Sequence, residues 1–192
     1  MKPEAVLQTF LDTGALLKGH FELRSGLHSD SYFQCALVLR FPDAAAKLCK
    51  AAVAKMQAEL GAKLKVDAVI APAMGGIVVG HEVARVLNTP FIFAEKQEGR
   101  LVLRRGFTIE PGARFVVAED VVTRGGRVQE TIDIVESHGG KVVAVTVIVN
   151  RSGGKARFKP PTFSLLELEP VTFEPGCCPL CAKNVPIDHP GS

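Results

Sequence analysis

The sequence lacks any apolar run near the ~18 residues that a bilayer span requires, and it opens on MKPEAVLQTF, an amphipathic helix start and not a basic-then-apolar leader. Neither a membrane span nor a signal peptide is expected, and the default expectation is a soluble cytoplasmic protein. Net charge is also scarce: a formal +3 is too little to argue for nucleic acid or a membrane surface, although it suits an anionic small ligand. The cysteine count is odd, at five, and three of these (Cys177, Cys178, Cys181) crowd near the end, which does not match the disulfide framework of a secreted domain. Internal repeats and low-complexity tracts are absent. What is there is a chain of 192 residues, 47% hydrophobic and 22% charged, long and apolar enough for one domain with a sizeable core and a small appendage.

Periodicity predicts a helix over Pro3 to Leu16, with Asp12-Thr13-Gly14 as an early stop signal, then short strands at Phe21 to Leu23 and Ser31 to Ala36 around RSGLHSD. Pro42-Asp43 opens a second helix running to about Leu60. Val66 to Ala71 reads as a strand, Ile77 to Leu87 as a helix and Phe91 to Ala94 as a strand, which makes one βαβ unit. Lys96 to Arg105 reads as an exposed loop and hairpin. Arg114 to Ala118, Arg127 to His138 and Val142 to Val149 make a second βαβ unit, and Phe163 to Leu168 is an edge-strand candidate. Alternating strands and helices predict an α/β fold with a mostly parallel sheet covered by helices on both faces. In such sheets ligands bind beyond the carboxyl ends of the strands. Three Gly-rich loops fall in that position: APAMGG, EDVVTRGG and VNRSGG.

The central loop carries the most chemistry. Thr123, Arg124, Gly125 and Gly126 precede a helix, whose first-turn N–H groups have no partner within the helix and can face an anion. Glycines let the backbone curl closely around phosphate oxygens. The loop is neither GxxxxGK[ST] nor GxGxxG. Glu119 and Asp120 need another partner, because carboxylates accept hydrogen bonds from vicinal diols and not from phosphate. Acids beside a phosphate cradle point to a ribose phosphate.

With its preceding strand, EDVVTRGG resembles the phosphoribosyl diphosphate (PRPP) motif of the type I phosphoribosyltransferases. The resemblance implies that fold, with a small hood from about residues 1–40 plus a C-terminal segment, a domain over 1–170 and a tail over 171–192. It implies that Glu119 and Asp120 contact the ribose hydroxyls, that Thr123, Arg124, Gly125, Gly126 and Arg127 contact the 5-phosphate, and that Val121 and Val122 belong to the same PRPP-binding stretch. Ala73, Met74, Gly75 and Gly76 of APAMGG would meet the pyrophosphate. Arg124 stands where a small residue is usual, and it either adds to phosphate binding or points to solvent.

FELRSGLHSDSYFQ is similar to a segment of the orotate phosphoribosyltransferases, at Phe21, Leu23, Ser25, Gly26, Ser29 and Tyr32. That likeness implies an orotate site from Arg24, Ser25, Gly26, Thr123 and Arg151, an arginine fork suiting the ring carboxylate. The resemblance covers residues 1 to about 155, and APAMGG and LRRGF are most similar to the Thermus-type branch. It implies a transferase (a pentosyltransferase) of pyrimidine biosynthesis that uses Mg²⁺ bound through PRPP, and a homodimer whose mobile loop 95–105 reaches the neighbouring site. Lys96, Arg100 and Asp120 are then the catalytic candidates. Two departures stand out: APAMGG has no lysine, and the loop is short and holds no histidine. A purine phosphoribosyltransferase, a PRPP-sensing regulator or RNA-binding protein on the same fold, and an inactive paralogue remain open alternatives.

In the tail, the CxxC pair Cys178 and Cys181 is half of a zinc site, for which Cys177, His189 or a second tail across a dimer would complete the ligands. The alternative is a loose tail with reduced or partly disulfide-linked cysteines. Cys35 and Cys49 lie on apolar faces and read as core. His20, His28, His81 and His138 have no carboxylate or cysteine partner at motif spacing, and His28 stands out only for lying inside RSGLHSD.

Overall fold

A computed structural model of the chain describes residues 1–23, 25–61, 64–169 and 171–190. The first helix, α1 (Pro3–Asp12), has proline in its first turn and buries Val6 and Phe10, one helical turn apart, on its core face. It stops before the predicted Leu16 because Gly14 takes a left-handed conformation, φ +66°, and the Gly14 and Ala15 amides turn back onto Leu11 and Phe10. The freed residues begin β1 (Leu16–Glu22), which is longer than the predicted Phe21–Leu23 strand. Next come β2 (His28–Phe33) and a short helix α2 (Cys35–Leu39), so the expected strand at Ser31–Ala36 is part strand and part helix. Helix α3 (Pro42–Leu60) spans the range that its Pro-Asp start predicts.

Two βαβ units follow, β3 (Ala68–Pro72), α4 (Gly76–Leu87) and β4 (Phe91–Gln97), then, after β5 (Arg100–Leu103), β6 (Arg114–Val122), α5 (Gly126–Ser137) and β7 (Lys141–Asn150). The chain closes with β8 (Thr162–Glu167), β9 (Thr172–Phe173), a 3₁₀ turn at Pro175–Cys177 and α6 (Pro179–Ala182).

The main sheet has the order β5-β4-β3-β6-β7-β8. All its pairings are parallel except the β4–β5 hairpin at one edge. The α/β reading with a mostly parallel sheet is borne out, and β8 is the edge strand foreseen at Phe163–Leu168. Alternation along β6 explains the layers: Val116 and Ala118 face the cluster built with α1 to α4, and Phe115 and Val117 face α5 through Val128, Ile132 and Val135. Strands buried on both sides read as continuous apolar runs, which is why β3, β6 and β7 were legible.

One property of this topology places the site. The chain leaves β3 towards β4 on one side and leaves β6 towards β7 on the other, so β3 and β6 are neighbours at which the strand order reverses. The candidate site lies at their carboxyl ends, where sheets of this kind form a ligand crevice. Beside the sheet, β1, β2 and β9 form a separate antiparallel sheet in that order, referred to below as the hood. Among the described residues, no helix is long and apolar enough to cross a membrane.

Candidate active site

Strand β6 continues four residues past its predicted end at Ala118, so Glu119 and Asp120 stand in the strand and not in a loop. Both carboxylates face the turn that follows β3. A Cβ on Gly75 would lie 2.9 Å from Asp120 Oδ2, and one on Gly76 would lie 3.1 Å from Glu119 Oε1. The glycines of APAMGG therefore bring bare backbone against the acid pair, and the two distant motifs become one site. Glu119 Oε1 accepts the Asp120 N–H at 3.0 Å, and Asp120 Oδ1 accepts the Val121 N–H at 2.7 Å. Among the described residues no ion pair engages either acid.

Burial raises the Glu119 pKa well above the usual carboxylate range, with the Asp120 charge adding to the effect, and burial also raises that of Asp120. A buried acid pair whose nearest compensating charge is only the more distant Arg127 is costly in the free protein. It is suited to hydroxyl donors or to a cation brought by a ligand.

The turn expected to hold phosphate lies at the start of α5. Gly125 has φ +82°, and a Cβ there would lie 2.9 Å from the Phe158 ring, so both conformation and space call for glycine. No side chain caps α5, and the space over Gly126 is open, leaving its first-turn amides free to meet an anion. Thr123 and Arg124 are exposed beside it. Arg127 pairs with Glu130 at 3.2 Å, and Glu130 also accepts the Leu101 N–H at 3.1 Å, which ties this turn to the β4–β5 hairpin. Val121 and Val122 direct their side chains into the two core layers.

At the end of β7, Arg151 is buried, with its guanidinium 5.8 Å from the Tyr32 ring and 5.6 Å from the Phe33 ring of β2. Among the described residues its Nε–H has no hydrogen-bond partner, nor does the buried Ser152 hydroxyl. Burial lowers the Arg151 pKa. A desolvated guanidinium with an unused N–H is a receptor for an anion, and the two aromatic faces partly offset its burial. No local signal in the sequence assigns Tyr32 and Phe33 to this site beyond Tyr32's place in FELRSGLHSDSYFQ. Ser25 and Gly26 are exposed at the tip of the β1–β2 hairpin, and Arg24 lies outside the described residues.

Lys96 and Arg100 flank the turn of the β4–β5 hairpin, where Glu98 and Gly99 both have positive φ, 50° and 87°, the pattern of a tight two-residue connection. Glu95 accepts hydrogen bonds from Arg105 at 3.1 and 3.0 Å and lies 3.6 Å from Arg104. Lys96 and Arg100 are the exposed cations left over, without an ion pair among the described residues. A recess of about 480 Å³ lined by Asp67, Pro90, Glu110 and Phe115 lies at the opposite, amino end of the strands and contains none of these groups.

The tail corrects one expectation. It is not loose: β9 pairs with β2, and Cys178 and Cys181 lie against His20 and His28. The proposed companions are elsewhere, Cys177 being exposed and His189 sitting 3.7 Å from Glu22. All five cysteines are free thiols, with Cys35 and Cys49 buried as read.

Comparison with known proteins shows the family. A family model described as "Phosphoribosyl transferase domain" matches residues 42–174. The chain is 49% identical over 183 residues to an orotate phosphoribosyltransferase of Carboxydothermus hydrogenoformans, covering 95% of this chain and 94% of that one. It is 46% identical to the orotate phosphoribosyltransferase of Chlorobium phaeobacteroides, covering 100% of this chain and 97% of the other. The crystal structure of orotate phosphoribosyltransferase from Aeropyrum pernix has a TM-score of 0.73 at 25% identity, covering 85% of this chain and 94% of that one. The adenine phosphoribosyltransferase of Thermoanaerobacter pseudethanolicus has a TM-score of 0.59 at 21% identity, covering 72% of this chain and 88% of that one, and shares the fold.

Proposed function

Because the chain belongs to the phosphoribosyl transferase domain family, we propose that it transfers the phosphoribosyl group of PRPP to N1 of orotate, giving orotidine monophosphate and pyrophosphate. The observation that carries the choice of base is Arg151, a buried guanidinium with an unpartnered N–H on two aromatic rings. Orotate has a ring carboxylate for it, and adenine has none.

The reaction passes through an oxocarbenium-like transition state, so the protein's work is positioning and charge stabilisation. Glu119 and Asp120 accept hydrogen bonds from the ribose hydroxyls, and hold the positive charge developing on the ring near negative groups. The turn Thr123 to Arg127 holds the sugar phosphate with its amides, and Arg127 adds a cation. The backbone of Ala73 to Gly76 meets the pyrophosphate. Ser25 and Gly26 contact the base, Arg24 is a further candidate for its carboxylate, and Arg151 orients it, with Thr123 at its edge.

Mg²⁺ fits this donor set. Among the described residues no ion pair engages the acid pair, so a metal carried by PRPP would be held by Asp120 and Glu119 through hydroxyls or water, neutralising charge on the pyrophosphate. Lys96 and Arg100 neutralise the leaving group as the hairpin closes and excludes water, reaching the neighbouring site in a cytoplasmic homodimer.

The test is a steady-state assay with PRPP, Mg²⁺ and orotate, following the loss of orotate absorbance. Turnover with orotate and none with adenine is expected. The reverse pattern would overturn the choice of base, and PRPP binding without turnover on any base would point to a regulator on the same fold, consistent with the missing lysine of APAMGG.

A further inference from the structure

We propose that His20, His28, Cys178 and Cys181 bind a structural zinc ion that clips the C-terminal tail to the hood. The four ligand atoms lie within 4.8 Å of one another. Cys178 Sγ and Cys181 Sγ are 3.6 and 3.7 Å from His20 Nε2, and Cys181 Sγ is 3.3 Å from His28 Nδ1. Tetrahedral zinc with bonds of about 2.3 Å to sulfur and 2.0–2.1 Å to nitrogen sets S···N edges of roughly 3.6 Å and an N···N edge of roughly 3.3 Å. The 3.6 and 3.7 Å edges match and the 3.3 Å edge is slightly short. On binding, the 2.8 Å His20 Nε2–His28 Nδ1 edge opens and the widest separation in the cluster, up to 4.8 Å, closes.

Three further features fit a metal better than a hydrogen-bonded pocket. His20 Nδ1 lies 2.8 Å from the Val185 carbonyl oxygen, so it carries the proton and leaves Nε2 with its lone pair towards the cluster. A carbonyl holding the distal N–H in this way is the usual orienting partner of a metal-bound imidazole. The charges balance: two thiols lose their protons to solvent, and two thiolates with two neutral imidazoles around Zn²⁺ make a neutral buried centre. Finally, four protein ligands fill a tetrahedral zinc, and His20, His28 and Cys178 are only 2%, 5% and 3% exposed with Cys181 half-buried, which marks the centre as structural. The S₂N₂ set selects zinc over hard cations.

The ligands come in two pairs from opposite ends of the chain. His20 and His28 flank the hairpin tip that carries Ser25 and Gly26, and Cys178 stands at the start of α6 with Cys181 inside it. Binding therefore fastens the tail, keeps β9 on β2, and steadies the strand whose Tyr32 and Phe33 lie against Arg151.

Protein produced without a histidine tag and kept reduced is expected to contain one zinc per chain by elemental analysis. Cys178→Ser and His28→Ala should lose it, and Cys177→Ser should keep it. In case the first variants fail to fold, cobalt substitution of the unaltered protein is expected to give the intense visible bands and thiolate charge-transfer absorption of a tetrahedral S₂N₂ centre. Absence of stoichiometric zinc together with an octahedral or featureless cobalt spectrum would overturn the proposal, as would a Cys178–Cys181 disulfide in protein purified without oxidant. None of these readouts depends on catalysis, so the outcome is separable from the choice of orotate.

Discussion

The crevice between β3 and β6 and the hood beside it solve the same problem, holding functional groups in place, by different means. At the crevice, each functional group is at most a few residues from a strand buried on both faces, and the core does the positioning. In the hood, the strands are short and much of their surface is polar, so fewer apolar side chains hold them: Phe21 and Phe33 are buried, with Cys178 from the tail. A small sheet with little core needs cross-links, and a metal clip is one that the histidines and cysteines can supply. Precision comes from burial in one region and from contacts between distant segments in the other.

The largest predicted effect tests the first half of that contrast. Gly75→Ala puts a methyl where Asp120 Oδ2 lies 2.9 Å away. It should lower kcat/KM by about 100-fold, since small displacements of reacting groups carry such penalties. Zinc content and melting temperature should stay close to those of the parent protein. A variant with full activity would show that the acid pair tolerates displacement.

Arg151→Ala addresses the junction between the regions. Loss of a charge-assisted hydrogen bond is worth about 1.5–3 kcal/mol. The KM for orotate should therefore rise by roughly 10- to 100-fold while PRPP affinity, measured by calorimetry, is retained. A rise in the PRPP constant instead would move Arg151 out of the base site.

The Glu119→Gln variant separates function from stability. Glu119's pKa is raised in the folded protein, so the folded state binds its proton more tightly than the unfolded chain does. The linkage slope is then negative: the ligand-free protein loses stability as pH rises above the unfolded value of about 4.3. Glu119→Gln should be inactive or nearly so, yet melt at a higher temperature than the parent at neutral pH, with the gap closing as pH falls. A lower melting temperature at neutral pH would contradict the assignment of Glu119 as a strained functional acid.

The smallest effect is at the amino end of the same strands. Asp67 accepts hydrogen bonds from the Arg114 backbone N–H and guanidinium at 2.8–2.9 Å, and this arginine holds its pKa at about 2. A depressed carboxylate stabilises the fold above its unfolded pKa of about 3.9 and ceases to do so as pH falls through about 2. Asp67→Asn should lower the melting temperature slightly at neutral pH, and the difference from the parent should vanish in strong acid. Activity should not change.

The βαβ units were readable because their signals are local. The runs at Val142–Val149 and Arg114–Ala118 are apolar, their helices are periodic, and the Gly-rich turns follow at once. Strand ends were less readable: whether β6 stops at Ala118 or runs to Val122 depends on pairing with β7 from Glu119 to Val122, which no local propensity reports. The hood was read least well. Leu16–His20 and His28–Phe33 are strands because they pair with each other and with β9, and the helical turn at Cys35 interrupts what alternation suggested.

By itself, the order of residues determined the layered α/β plan, the acid pair with its phosphate turn, and the CxxC of the tail, since each is written in consecutive residues. Only the tertiary structure decided which groups meet: Gly75 and Gly76 against Glu119 and Asp120, Tyr32 and Phe33 beneath Arg151, and His20 and His28 with Cys178 and Cys181. The physical reason is that such contacts join segments tens to more than a hundred residues apart, and they form because strand reversal and sheet pairing bring them together, not because of any periodicity in the chain.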